Sequence, residues 1–263
     1  MRHQEERYLD LLEKTLDDGA DIQTRNGIRR TIYGAQLRFR IDEKFPLITT
    51  RRIPWKNPTA EICWFLRGDT NIKYLHEHDV HIWDANAKPD GEVGPAYGYQ
   101  WRYGFGIDQI QLAVDMLRKS PHNTRNVVTA WNPRDMHAVA LPPCHAMFQL
   151  HSDGKNLTLQ WSQRSVDLVL GLPTNIAGYA ILAHLFAKVS GQRAVELICD
   201  LGNIHIYESH FAGVRTQLDR LPREWPTMRI EGEVRPDLFG LEPSQFILDG
   251  YDPHPAIKFD LVA

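Results

Sequence analysis

The stretch from Asn175 to Ser190 is strongly apolar and runs into Gly191, which reads as a buried helix with a glycine stop. A surface helix needs only one apolar stripe, whereas a helix apolar all round has to be enclosed on every side. The rest of the chain must therefore supply a wide apolar lining. At 263 residues it is long enough, because such chains bury roughly three quarters of the surface they expose when unfolded.

Candidates for that lining are readable along the chain. Residues 4–18 carry Tyr8, Leu9, Leu11, Leu12 and Leu16 at helical spacing before Gly19. Asn57-Pro58-Thr59-Ala60-Glu61 predicts a helix start, with Asn57 as cap and Pro58 in the first helical position, continuing through Ile62-Cys63-Trp64-Phe65-Leu66 toward Gly68. Ile107 to Lys119 forms another helical stripe. Residues 127–131, 146–151, 157–163, 194–201 and 227–230 read as strands. No βαβ rhythm and no Gly-rich phosphate loop appears, so an α+β class is predicted over Rossmann or P-loop folds. Without repeats, low-complexity tracts or linkers, residues 1–263 read as a single domain.

A net charge of −3 argues against a broad nucleic-acid footprint, so any basic residues that matter act locally. Three scattered cysteines, Cys63, Cys144 and Cys199, make no disulfide framework and fit a reducing compartment. No CxxC or HxxxH spacing occurs among Cys and His, so no metal is expected. Neither a signal-peptide run nor a membrane-length apolar window is visible, and a cytoplasmic location is expected.

The chemistry concentrates between Leu141 and Tyr179. A lone cysteine is most often a packed core residue. Cys144, however, follows Pro142-Pro143, which removes two amide donors and fixes the approaching backbone. A cation near it, with Arg164 on a neighbouring strand, would lower its pKa and raise its thiolate fraction. Arg164-Ser165 fits an anion clamp, to which Arg25 and Arg125 add if they converge on one phosphate or carboxylate. Asn175 reads either as a helix cap or as a carboxamide offering donor and acceptor to a pyrimidine edge. Asp167 stands among Val166, Leu168, Val169 and Leu170, an apolar setting for a carboxylate. Glu61 lies beside Trp64 in an apolar helix, where burial raises a carboxyl toward general-acid range; an exposed face is the competing reading. His205 and Tyr207 alternate on one strand face and suit a sugar hydroxyl. Tyr97, in Gly-Pro-Ala-Tyr-Gly, is flanked by turn residues, while Trp83 and Trp101 read as core.

Along essentially its whole length the chain resembles folate-dependent thymidylate synthases. The matching segments are Phe-Pro-Leu-Ile-Thr-Thr (45–50), Trp-Phe-Leu-Arg-Gly-Asp-Thr-Asn (64–71), Ile-Trp-Asp-Ala-Asn (82–86), Ala-Trp-Asn-Pro-Arg-Asp (130–135), Leu-Pro-Pro-Cys-His (141–145), Gln-Arg-Ser (163–165) and Gly-Tyr-Asp-Pro-His-Pro-Ala-Ile-Lys (250–258). The resemblance implies a mixed β-sheet covered by helices and a homodimer packed sheet to sheet. It implies that Cys144 attacks C6 of dUMP and that C5 takes a one-carbon unit from 5,10-methylenetetrahydrofolate. Glu61 and Tyr97 would manage protons, and Asn175 would pair with uracil O4 and N3. His205 and Tyr207 would hold the ribose, while Arg25, Arg164 and Ser165 hold the phosphate with Arg125 from the second subunit. Asp167, Trp83, Leu141, Gly171 and Ala263 fall to the folate side.

Several positions depart from the family pattern. Thr124-Arg125 replaces two consecutive arginines, Thr174 stands for a usual Phe, Gly178 for a usual Ser, and Asn203 for a usual Asp. The turn at Arg25–Arg30 is one residue shorter than the common form. Thr174 and Gly178 predict a looser, wetter folate pocket, which favours water over hydride at the last step. The expected product is dTMP with dihydrofolate; the alternative is 5-hydroxymethyl-dUMP with tetrahydrofolate, as in related phage deoxypyrimidine hydroxymethylases. Asn175, where dCMP enzymes of the family carry Asp, favours dUMP. A non-catalytic nucleotide-binding or RNA-binding regulator and a cysteine hydrolase are the more distant readings.

Overall fold

The structure is a computed structural model that describes residues 2–262, so the expected folate contact at Ala263 lies outside the described residues. Its helices are α1 (Glu6–Asp18), α2 (Lys56–Arg67), α3 (Lys73–Glu77), α4 (Gln109–Lys119), α5 (Gly171–Ser190) and α6 (Phe211–Leu218). Its strands are β1 (Ala20–Thr24), β2 (Gly27–Arg40), β3 (Val127–Thr129), β4 (His145–Ser152), β5 (Asn156–Asp167), β6 (Arg193–Tyr207), β7 (Thr227–Ile230) and β8 (Phe246–Asp249). Six strands form one sheet in the order β1-β2-β6-β5-β4-β3, and β7 pairs with β8 apart from it. The β5/β6 pair is parallel and the other pairs are antiparallel, giving the mixed α+β sheet expected.

The α5 helix is buried almost from end to end, and it packs on β5 and β6 from one side and on α2 from the other. Gly178 is where α2 and α5 approach closely: a Cβ there would lie 3.3 Å from a side-chain carbon of Ile62. The space expected to open at Gly178 is thus filled by isoleucine, and that half of the looser-pocket reading is corrected. Although α5 is long and apolar, no helix among the described residues is long and apolar enough to cross a membrane.

Several helix starts differ from the sequence reading. The α2 helix begins at Lys56 with Trp55 before it, so Asn57 and Pro58 lie inside the first turn and Asn57 caps nothing. Pro58 is tolerated because first-turn amides have no intrahelical acceptor. The α5 helix begins at Gly171, which moves Asn175 off the cap position and onto the helix itself. The helix read from Ile107 starts two residues later, with the Asp108 carboxylate accepting from the Gln111 amide. The longest missed element is β2, which forms a hairpin with β1, also missed, along one edge of the sheet.

Alternation along β5 turns Leu157, Leu159, Trp161 and Gln163 into the core and leaves Thr158, Gln160 and Ser162 half-buried on the other face. The inner face continues through Ser165 and Asp167 and, across the register, through His205 and Tyr207 on β6 and Arg29 and Thr31 on β2. Side chains needed for one pocket thus share one sheet face near its end.

Candidate active site

Cys144 sits half-buried in the residue before β4. Its amide donates to the Tyr97 hydroxyl at 2.7 Å, and its carbonyl accepts from the Arg164 amide at 2.9 Å. The Arg164 guanidinium donates to the carbonyls of Pro143 (2.9 Å) and Pro142 (2.8 Å) and lies over the Trp131 ring. Both prolines precede β4, and the guanidinium supplies their carbonyls with a donor. Arg164 therefore braces the backbone that presents the thiol. Its neighbour Ser165 points to the opposite face of β5, so the two do not form the side-by-side clamp expected from their adjacency.

Burial pushes the Cys144 thiol above its ordinary value, opposed by the Arg164 charge and a hydrogen bond with Tyr97. The expected lowering is corrected: desolvation outweighs the cation. His145 is no cationic partner either. It is packed between the rings of Tyr97 and Tyr179, and burial lowers it to about 4, which keeps the imidazole neutral. A proton affinity lowered that far makes His145 a weak base for the hydrolase reading.

Tyr97 is held by its surroundings. It takes a positive φ of 35°, stacks on Phe65 with centroids 4.7 Å apart, and is followed by Gly98, whose Cβ position would lie 2.2 Å from the Phe65 carbonyl oxygen. Burial first, then the nearby Cys144, raise the phenol well above its usual range, so it stays protonated.

Glu61 is buried on α2, and its Oε1 accepts from the Trp83 indole at 2.8 Å. Burial lifts its pKa to about 7, while the indole bond pulls the other way. The exposed-face reading is thereby excluded and the general-acid range is reached. Trp83 also packs edge-on to Tyr97 at 5.6 Å, which links the glutamate to the cysteine through two rings.

On the other side of the pocket, Asn175 Oδ1 accepts from Gln163 Nε2 at 3.3 Å. Gly171 lies between Asn175 and Asp167, with its Cβ position 3.6 Å from each. Asp167 Oδ1 accepts from the amides of Val169 and Leu170 at 2.8 and 3.0 Å, closing the turn into α5. His205 and Tyr207 share a face with ring centroids 5.3 Å apart, and burial lowers the former and raises the latter. Leu141 is half-buried in the loop before Cys144.

Arg25 is exposed in the β1–β2 turn, where its neighbour Asn26 reaches Tyr207. Arg125 is exposed in the loop before β3, and both its amide and its Nε donate to Asn123 Oδ1. Within the chain it stands apart from the pocket. Sequence reasoning missed Arg29 and Thr31. Arg29 faces Tyr207 across the ladder, and its charge acts on both Tyr207 and His205. Its Nε and the Thr31 hydroxyl are buried without a partner. The tail passes Thr49 and α6, with the His254 amide on the Thr49 carbonyl (2.7 Å) and Phe259 against Gly213.

A half-buried thiol, a buried glutamate lifted to about pKa 7 and a carboxamide beside a carboxylate thus lie together near one end of the sheet. The family model described as Thymidylate synthase matches residues 6–263, nearly the whole chain, and the chain belongs to the thymidylate synthase family.

Proposed function

We propose that this chain, within the one-carbon transfer to dUMP that its family carries out, works as a thymidylate synthase, giving dTMP and dihydrofolate. The observation that carries the reading is the convergence on Tyr97 of a half-buried cysteine and a buried glutamate with a pKa of about 7.

Cys144 Sγ, once deprotonated, bonds to C6 of the pyrimidine. The electron pair of the C5–C6 double bond moves toward the C4 oxygen, where protonated Glu61 supplies a proton. Asn175 fixes the base by pairing with O4 and N3. With C5 made nucleophilic, a new bond forms there to the one-carbon unit. Tyr97 orders the water that takes the C5 proton, and the sulfur leaves when the double bond returns. 5,10-Methylenetetrahydrofolate, when bound, supplies the one-carbon unit and the hydride. The residues on its side fit it: the Trp83 ring and Leu141 offer apolar contact, Gly171 allows close approach, and Asp167 keeps Oδ2 for a pterin amide.

His205 and Tyr207 hold the ribose hydroxyl, and Ser165 with Arg25 holds the phosphate, while Arg164, on the other face of β5, braces the Pro142-Pro143 backbone that presents Cys144. Arg125 comes from the second subunit of a homodimer, since it stands apart from its own pocket. Arg29 takes the place of the missing second arginine, which gives its buried Nε an acceptor. The reading is completed by one catalytic domain over residues 1–263 in the cytoplasm.

Thr174 supports a second outcome. Its half-exposed hydroxyl in the first turn of α5 offers water a foothold where a phenylalanine would exclude it. Incubation with dUMP and methylenetetrahydrofolate separates the two. Growth of dihydrofolate absorbance with dTMP formation supports the synthase. 5-Hydroxymethyl-dUMP without dihydrofolate supports the hydroxymethylase, and neither product leaves only nucleotide binding. Turnover of dCMP in preference to dUMP would overturn the assignment of Asn175.

A further inference from the structure

Outside the pocket, residues 76–84 bring two imidazoles and a carboxylate together at the surface. His76 Nε2 lies 2.7 Å from Asp84 Oδ1, and His81 Nδ1 lies 3.0 Å from Oδ2 of the same carboxylate. One ligand-capable atom from each residue falls within 4.8 Å of the other two. A further observation points to a metal rather than to ordinary surface pairing. The second ring nitrogen of His81, Nε2, faces Asp79 Oδ1 at 3.5 Å. A carboxylate behind a histidine holds the proton on the far nitrogen and leaves the near lone pair free, as metal-binding histidines almost always require. Asp79 is in turn ion-paired with Lys56.

We propose that His76, His81 and Asp84 form a binding site for a divalent transition-type cation of the zinc class, with Asp79 orienting His81 from behind. Two imidazole nitrogens and one carboxylate suit Zn²⁺, whereas Mg²⁺ and Ca²⁺ prefer oxygen donors. Bonds of about 2.0–2.2 Å to a tetrahedral centre hold ligand atoms roughly 3.4 Å apart. The contacts of 2.7 and 3.0 Å would open by about 0.7 and 0.4 Å, which rotation of exposed side chains allows. Three protein ligands leave the fourth position to water. The spacing here is H-x4-H-x2-D, which the CxxC and HxxxH templates do not cover, so the expectation of no metal did not reach it.

The location gives the site a consequence. Asp84 follows Trp83 directly, at the start of a short 3-10 turn, and the Trp83 indole is the hydrogen-bond donor to Glu61. A cation fastened to Asp84 restrains the turn that keeps that indole in place, with no part in the chemistry itself. Amide exchange over residues 80–86 therefore slows on occupancy.

The test is competition for Zn²⁺ between the metal-free full chain and a chromogenic chelator, with Co²⁺ as a spectroscopic probe. One Zn²⁺ per chain is expected. Binding should weaken by about 100-fold in His81→Ala and in Asp84→Asn, and by about 10-fold in Asp79→Asn. Substitution of the exposed His122 by Ala should leave it unchanged. All four positions are exposed, so the variants keep their metal-free thermal midpoint. Co²⁺ should give the visible bands of nitrogen and oxygen coordination without a thiolate charge-transfer band. No uptake at micromolar zinc overturns the proposal. So does binding that survives both His81→Ala and Asp84→Asn, or a thiolate band that puts the metal on a cysteine.

Discussion

Glu61 holds its carboxyl inside the protein, and burial moves it from an ordinary value of 4.5 to about 7. The folded state therefore keeps this proton more tightly than the unfolded chain does. Its stabilising effect is full below about pH 4.5 and is lost as pH rises through 7. Glu61→Gln has no such proton to lose. Relative to the parent it should gain stability across that window, on the order of 3 kcal/mol above pH 7, while turnover falls by about 10²–10⁴. Urea unfolding on both sides of the window measures the first effect, and a rate assay measures the second. Arg29 belongs to the same scale. A charged hydrogen bond contributes about 1.5–3 kcal/mol. Arg29→Ala should thus raise KM for dUMP by about 10–100-fold and leave binding of the unphosphorylated nucleoside unmoved. Equal weakening of both ligands would assign Arg29 to the scaffold.

At the scale of elements, α5 was legible because an unbroken apolar run permits little else. Its first turn was not, since Gly171 and Pro173 read as a turn although a helix start accepts both. That shift of one turn is why Asn175 resembles a cap. The β2 strand escaped although Leu37 and Phe39 alternate with Arg38 and Arg40 at one end, because Gly34, at φ 72°, interrupts the pattern. With β2 unread, Arg29 looked like one more arginine of a polar turn. Cys144, Glu61 and Tyr97 were legible from their neighbours: prolines, apolar helix residues and glycines. The direction of the thiol shift was not, because burial depends on the packed fold. The α2–α5 contact offers a test of this packing. Gly178→Ser presses a side chain against Ile62 and should cost about 1–3 kcal/mol, largely recovered by adding Ile62→Val. Urea midpoints of the three variants give the coupling, and additive losses would mean that Ile62 is not the obstacle.

At the scale of the whole molecule, the outer sheet face carries Met147, Gln149, Gln160 and Ser162 exposed or half-buried, as suits a sheet-to-sheet dimer. If Arg125 serves the other subunit's pocket, Arg125→Ala and Cys144→Ser are each inactive alone and complement when mixed. Random re-pairing places one complete site in each mixed dimer, so about a quarter of the parental activity should return. No recovery after subunit exchange would confine each pocket to a single chain. On the proposed mechanism one sulfur adds to C6 and loosens the hydrogen on C5, whichever way the last step ends. Tritium release from dUMP labelled at C5, with methylenetetrahydrofolate present, measures that event directly. Cys144→Ser should lower it by about 10³-fold or more, and release at the parental rate would contradict covalent activation by Cys144.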